Sequence, residues 1–307
     1  MNRAVPSGTR SRTNAIFPGT YVPGYVGFFF RVLSGVLLLA AVATAQCAKD
    51  DKKCALDEQG IQDNSFLVEE AYNQEFGVMQ HIQTWQRNWP DGDWVYTFTQ
   101  EWPFDPAPKN QLSYTIPVFH PDDVSGTGVG DVLLNYRYQL IGSGETKVAF
   151  SPRVSLVLPT GDWRRGRGMG ATGVQFMLPL SVVVSKRFVT HWNAGATILP
   201  GAKDALGDKA DAYGYTLANS VIFQAHPRFN LMLENVFQST QQVTGPGRTA
   251  WQNSWVLSPG VRWAWNFSSG LQIVPGVAVP VGVGPNAGQR GVLLYLSFEH
   301  PYRKLKD

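Results

Sequence analysis

Three observations predict an all-β chain, a transmembrane antiparallel up-and-down β-barrel of about 12 strands behind a cleaved signal peptide. Long segments alternate large apolar residues with small or polar ones. The connections between them alternate short and long. Charges inside the segments keep to one parity. The clearest segment runs from Trp251 to Phe267. Trp251, Trp255, Leu257, Pro259, Val261, Trp263, Trp265 and Phe267 share one parity, interrupted only by Asn253. The other parity carries Gln252, Ser254, Val256, Ser258, Gly260, Arg262, Ala264 and Asn266. Successive side chains of a strand point to opposite faces, so one face is greasy and the other mostly small or polar. The run exceeds the ~5–6 residues of an ordinary soluble strand and suits a tilted strand with roughly 9–11 residues in hydrocarbon. Aromatic residues at both ends of its greasy face fit the interfacial girdles of membrane barrels.

The chain opens with an export pattern. Arg3, Arg10, Arg12 and Arg31, with no acidic residue among them, lead into an apolar run from Val32 to Val42, and Ala43-Thr44-Ala45 supplies a small-residue cleavage site. The predicted signal peptide is 1–45. A retained anchor is the alternative, but the run falls short of the roughly 20 residues a spanning helix needs. Removing 1–45 lowers Lys+Arg from 26 to 22 against 23 Asp+Glu, a net charge of −1 in place of +3. The basic balance of the full chain therefore points to no nucleic-acid partner.

Residues 46–76 lack the barrel pattern and are expected to form a periplasmic N-terminal segment. Cys47 and Cys54, the only cysteines, suit a disulfide in an oxidising compartment. An acylated Cys47 is the alternative, disfavoured by Gln46 where such signals prefer a small residue. Without a CxxC pair or nearby histidines they give no zinc site. Phe66-Leu67-Val68 before Glu69-Glu70 is a short amphipathic element. The segment is either a tether without a gating role or a plug entering the lumen from the periplasmic side; the tether is the expectation.

The barrel is predicted over 77–300, with a periplasmic tail at 301–307. Its staves are 77–86, 93–104, 110–119, 129–141, 146–159, 173–186, 188–200, 213–226, 228–240, 251–267, 269–280 and 290–300, an even number as bacterial single-chain barrels require. Short connections are expected at Asp105–Lys109, Gly142–Glu145, Arg187, Pro227 and Ser268. Longer polar ones are expected at Arg87–Gly92, His120–Gly128, Thr160–Thr172, Gly201–Ala212, Gln241–Ala250 and Val281–Gln289. With both termini periplasmic, every short connection is a periplasmic turn and every long one an extracellular loop. Val132, Leu134, Tyr136, Tyr138 and Leu140 then face lipid, as do Val148, Phe150, Pro152, Val154, Leu156 and Leu158. Asp131, Arg137, Lys147, Arg153, Glu101, Glu234, Arg262 and Glu299 take the lumen parity. An Arg or Lys on the lipid face costs about 2–4 kcal/mol at the midplane, which is the physical reason for that segregation.

The run Phe66-Leu67-Val68-Glu69-Glu70-Ala71-Tyr72-Asn73-Gln74-Glu75, followed by Val78-Met79-Gln80-His81-Ile82, resembles the outer-membrane barrel family named for the MetA pathway of phenol degradation. Gly128-Val129-Gly130-Asp131-Val132 and Leu158-Pro159-Thr160-Gly161-Asp162 are similar to recurring pieces of the same family. The likeness extends over most of Phe66–His300. It implies passage of small, including aromatic, compounds across the outer membrane, and it supplies no catalytic residues.

Several residue groups are candidates for function. Glu101, Arg137, Arg153, Glu234 and Arg262 either line a selective constriction, as charged rings do in pores, or pair across the lumen and close it. Arg164, Arg165 and Arg167 form a basic cluster on the longest extracellular loop, a solvated tip or a site attracting anionic solutes and lipopolysaccharide phosphates. Gly168-Met169-Gly170-Ala171-Thr172-Gly173 matches a dinucleotide-binding spacing but precedes a strand, so it reads as a flexible loop. His81 and His191, closest to the lumen parity, with Ser155 and Ser181, carry a minor reading as an outer-membrane hydrolase. The expectation is a passive outer-membrane channel for small solutes, not an enzyme, with no cofactor, no metal site and outer-membrane lipid as its surroundings. A closed structural or binding barrel is the alternative.

Overall fold

The computed structural model describes residues 60–61, 64–89, 91–104, 109–121 and 125–302. The expected signal peptide, the Cys47–Cys54 disulfide and most of the expected tail lie outside these residues. The strands are β1 (Val78–Asn88), β2 (Trp94–Pro103), β3 (Asn110–His120), β4 (Gly128–Val129), β5 (Val132–Tyr138), β6 (Val148–Phe150), β7 (Arg153–Leu158) and β8 (Gly173–Ser185). They continue with β9 (Phe188–Lys203), β10 (Lys209–His226), β11 (Phe229–Gly245), β12 (Arg248–Trp263), β13 (Trp265–Asn266), β14 (Gln272–Ala278), β15 (Val281–Gly282) and β16 (Gly291–Pro301). Four staves are interrupted: β4 with β5, β6 with β7, β12 with β13, and β14 with β15. The sixteen segments therefore make a ring of twelve antiparallel staves. The ring closes where β1 pairs with β16 along its whole length, from Val78 opposite Pro301 to Asn88 opposite Gly291.

The interruptions have local causes. Between β4 and β5, the Asp131 carboxylate turns aside to accept the Gly161 amide at 2.9 Å and the Met169 amide at 2.8 Å. Gly130 is required here, because a Cβ would run into the Phe119 ring. Between β12 and β13, the Ala264 amide donates at 2.9 Å to Arg228 O, which lies just before β11, so the break falls where the neighbouring strand begins.

Two expected extracellular loops are corrected. Gly201–Ala212 and Gln241–Ala250 are mostly strand, because β9 and β10 are joined only by 204–208, and β11 and β12 only by 246–247. Polar side chains interspersed with small ones read as loop, yet here they lie on strands extending past the shorter neighbours, where the outer face need not be greasy. Inside this extension Ala202, Ala210, Ala212 and Val243 pack with Ala171, and Met169 and Leu199 lie against them. The long 159–172 connection is thereby folded in over that end of the barrel.

The expected lipid parity is the outward face. Leu134, Tyr136, Tyr138, Leu140, Val148, Val154 and Leu156 are exposed, as are Trp251, Trp255, Trp265 and Phe267. The opposite parity is buried and largely polar: Glu101, Gln111, Arg137, Arg153, Ser155, Ser181, His191, Asn193, Glu234 and Arg262. Such a wall is stable only in lipid, which satisfies its greasy outside, while the closed ladder satisfies the backbone. Placing arginine at Leu156 should cost about 2–4 kcal/mol of unfolding free energy in bilayers, against about 0–1 kcal/mol for Thr249→Arg near the strand end. Denaturant titration of the two variants in vesicles checks this.

Candidate functional site: the lumen

The lumen contains the chain's own N-terminal segment. Asn64 to Phe76 precede β1 and run inside the ring at the end carrying the short turns. Val68 and Ala71 are among its most buried residues. These contacts put the described part of the expected N-terminal segment in the lumen, where a plug would lie. The segment is amphipathic along its length, and the lumen wall matches it.

The apolar part, Ile61 and Phe66, packs with Ile82, Val189, Ile222, Met232, Val274, Leu293 and Tyr295, inward residues of β1, β9–β11, β14 and β16. The Phe66 ring lies 5.0 Å from that of Tyr295. Two wall glycines make room for it. A Cβ at Gly260 would come within 2.7 Å of the ring, and one at Gly276 would collide with it outright.

The polar part is held by side chains of the wall. The Leu67 and Val68 amides both donate to Glu234 Oε1, at 2.8 and 3.1 Å. Asn193 accepts from the Glu69 amide at 2.8 Å and donates back to Glu69 O at 2.8 Å. Ala71 N donates to Ser181 Oγ at 2.8 Å, and Gln139 donates to Ala71 O at 2.9 Å. Gln74 N donates to Gln111 Oε1 at 2.7 Å. Arg262 donates to Asn64 O at 2.7 Å. An irregular backbone cannot satisfy itself, so these wall groups replace the water it would otherwise bind.

One ion cluster anchors the segment. The Glu69 carboxylate meets Arg153 at 2.6 Å and Arg137 at 3.1 Å. Arg137 also reaches Glu101 at 4.0 Å. Arg153 further donates to Asn135 at 3.0 Å, Gln175 at 3.1 Å and Ser155. Burial raises the Glu69 carboxyl's pKa, but the charges of Arg153 and Arg137 and their hydrogen bonds outweigh this and hold it below the ordinary 4.5. Tyr72 is pushed the other way, up to about 12, by burial and by the nearby Glu70 charge.

The five charged residues expected to face one another across the lumen are thus brought together by a third party. Arg137 and Arg153 hold Glu69, Glu234 holds two backbone amides, Arg262 holds a carbonyl, and Glu101 stands behind Arg137. Glu69, the counter-ion they converge on, was not among the sequence candidates. Its signal was present as an acidic pair directly after an apolar triplet in a segment without strand pattern.

Other candidates fall elsewhere. His81 is corrected: Gln80 and Ile82 take the buried positions of β1 and His81 points outward, its Nε2 3.2 Å from that of His300. His191 is inward, with Nδ1 2.7 Å from Ser181 Oγ. Ser181 is engaged by the Ala71 amide, and the charge acting on His191 is the Arg262 cation, not a carboxylate that would orient a general base. Ser155 is engaged by Arg153. Lys147 sits exposed in a turn.

The basic cluster divides. Arg164 stacks 4.1 Å over Trp163 and, like Arg165, is exposed. Arg167 is buried, reaches Asp162 at 3.5 Å and donates to Ser125 O and Gly126 O, each at 3.2 Å. The Gly168–Gly173 run is pinned by Asp131 at the Met169 amide and ends on Gly173, the first residue of β8.

Glu69→Gln removes the anion between two buried guanidiniums, and breaking such a pair costs about 3–5 kcal/mol. Undocking is then expected to appear as protease cleavage within 64–76 of an otherwise folded barrel. The pH dependence follows from the lowered carboxyl. Docking is fully stabilised above the free segment's value near 4.5 and is lost as pH falls through the docked value. Acidification from above 4.5 down through the lowered docked value should therefore expose the segment to an acid-stable protease. Glu69→Gln should remove that step.

No curated protein matches the sequence. Solved structures match in fold. The COG4313 outer membrane channel from Pseudomonas putida F1 aligns with a TM-score of 0.53 and 12% identity, covering 75% of this chain and 97% of that one. A NanC porin structure aligns with a TM-score of 0.49 and 9% identity, covering 72% and 98%. The CymD monoaromatic hydrocarbon channel aligns with a TM-score of 0.39 and 10% identity, covering 75% and 90%. The barrel is of the outer-membrane type. A family model matches residues 57–291, and by that match the chain belongs to the family described as "Putative MetA-pathway of phenol degradation".

Proposed function

We propose that the protein is a passive outer-membrane channel for small solutes, aromatic or hydrophobic ones included, whose path is occupied at rest by residues 64–76. The observation that carries this reading is the way the lumen is filled. A barrel built only as a wall can fill its interior with its own inward side chains, as eight-stranded barrels do. This ring is wider, and a peptide held mainly by hydrogen bonds and one ion cluster occupies the remainder. Water can replace those bonds one by one, so the occupant can leave without unfolding the wall.

The aromatic preference rests on the family's phenol-degradation description, and Trp94, Phe119 and His120 line a small cleft at the long-loop end. The exposed Arg164 and Arg165 above it suit anionic solutes or lipopolysaccharide phosphates. The short-turn end, where the segment enters, is the periplasmic one in this reading.

A second reading, a permanently closed barrel, is favoured by the density of the Glu69 cluster. The two separate in a planar bilayer. Ala71→Cys with Ser181→Cys, in a background of Cys47→Ser and Cys54→Ser, pins the segment to β8 when oxidised. Conductance and benzoate permeation are expected to be absent in the pinned form, to return on reduction, and to rise in Glu69→Gln. Silence of the reduced and Glu69→Gln proteins alike would leave only the closed barrel.

A further inference from the structure

His81 and His300 lie on the outward face of β1 and β16, the two strands whose pairing closes the ring. Met79 is opposite His300 and Phe298 opposite His81, which makes the histidines diagonal neighbours. Their Nε2 atoms are 3.2 Å apart, and the rings lie 5.3 Å apart at 16°. Phe298 at 5.0 Å and Phe98 at 6.1 Å flank the His81 ring and fix its plane. Two ring nitrogens aimed at each other in this way share either a proton or a metal ion. A tetrahedral ion with Zn–N bonds of ~2.0–2.1 Å holds two ligand nitrogens about 3.3–3.4 Å apart. The observed spacing is close to that.

We propose that His81 and His300 form a binding site for a divalent ion of the zinc, nickel and copper kind, which staples the first strand of the barrel to the last. Imidazole is the ligand type such ions take. No group of three His, Cys, Asp or Glu that could hold a metal is found among the described residues, so water completes the coordination. The position admits it. His300 stands one residue before the end of β16, where the Tyr302 amide donates to Gly77 O, and His81 is only partly buried.

Binding needs the lone pair of both Nε2 atoms. In the metal-free pair one imidazole donates its Nε2–H to the other. That proton moves to Nδ1 as the ion enters, so the neutral pair loses no net proton. Spacing in the sequence conceals the site, because its two ligands come from the first and last strands in chain order.

The test uses the untagged full-length protein in detergent micelles at pH 7.5, titrated with Zn²⁺ by calorimetry. The temperature at which the folded band is lost on heated gels is followed in parallel. One zinc per barrel and a raised transition temperature are expected. His81→Phe places a third ring between Phe98 and Phe298 and, like His300→Phe, should leave a heat-modifiable folded barrel that has lost both effects. No zinc binding by the wild-type barrel, or binding retained by either variant, overturns the proposal.

Discussion

A ring of twelve staves leaves a lumen that its inward side chains do not fill, and the Glu69 carboxylate between Arg153 and Arg137 fixes what fills it. Two guanidiniums buried in a barrel wall with Glu101 as their one wall carboxylate, 4.0 Å from Arg137, would be short of counter-charge and expensive. Glu69 supplies the charge from a segment that is not part of the wall. Its position in sequence then dictates the rest: three residues earlier Phe66 reaches the glycine-lined apolar side, and five residues later Gln74 reaches Gln111 on β3. The lumen is divided between an apolar side and a polar side because the segment crossing it is.

The same principle, loops and segments held by side chains of the wall, operates at the other end. Asp131 leaves the ladder to hold the Gly161 and Met169 amides, and Thr160 Oγ1 accepts from Val132 N while donating to Gly130 O. Gly128–Val132 and Leu158–Asp162, the two sequence pieces similar to the family's recurring ones, are thus halves of one clasp. It seats the long loop on the alanine-rich inner face of β9–β11. Arg167 extends the clasp to the Ser125–Gly126 loop.

Much of the wall was legible because lipid imposes a strict rule on one parity. Leu134, Leu156 and Trp255 had no alternative placement, and the twelve staves follow. Legibility ended where lipid stopped acting. Gly201–Ala212 and Gln241–Ala250 rise past the shorter staves, so their strands carry no greasy parity and look like loops. His81 misled because a rim position tolerates a polar group outside as readily as inside. The contents of the lumen were least legible. Residues 64–76 have no period, since their backbone groups are satisfied mainly by scattered wall side chains, and Asn193, Gln139 and Ser181 are ordinary in sequence until Glu69 and Ala71 lie against them. The charged candidates were identified individually, but their common partner was not.

These contacts differ in how easily they are given up. A neutral hydrogen bond exchanged for water is worth about 0.5–1.5 kcal/mol net, and each amide released by Glu234, Asn193 or Ser181 leaves two polar groups that water can reach once the segment moves. Phe66 is different, since leaving exposes a ring worth about 1.5–3 kcal/mol of burial. Glu69 differs most, because until water follows it into the lumen it leaves Arg153 without its carboxylate and Arg137 with Glu101 alone. The resistance to opening is therefore concentrated at two side chains three residues apart, while the remaining bonds set the path of the segment. A wall that keeps its guanidiniums buried and its glycines facing one ring is arranged to hold that peptide and to be complete only with it.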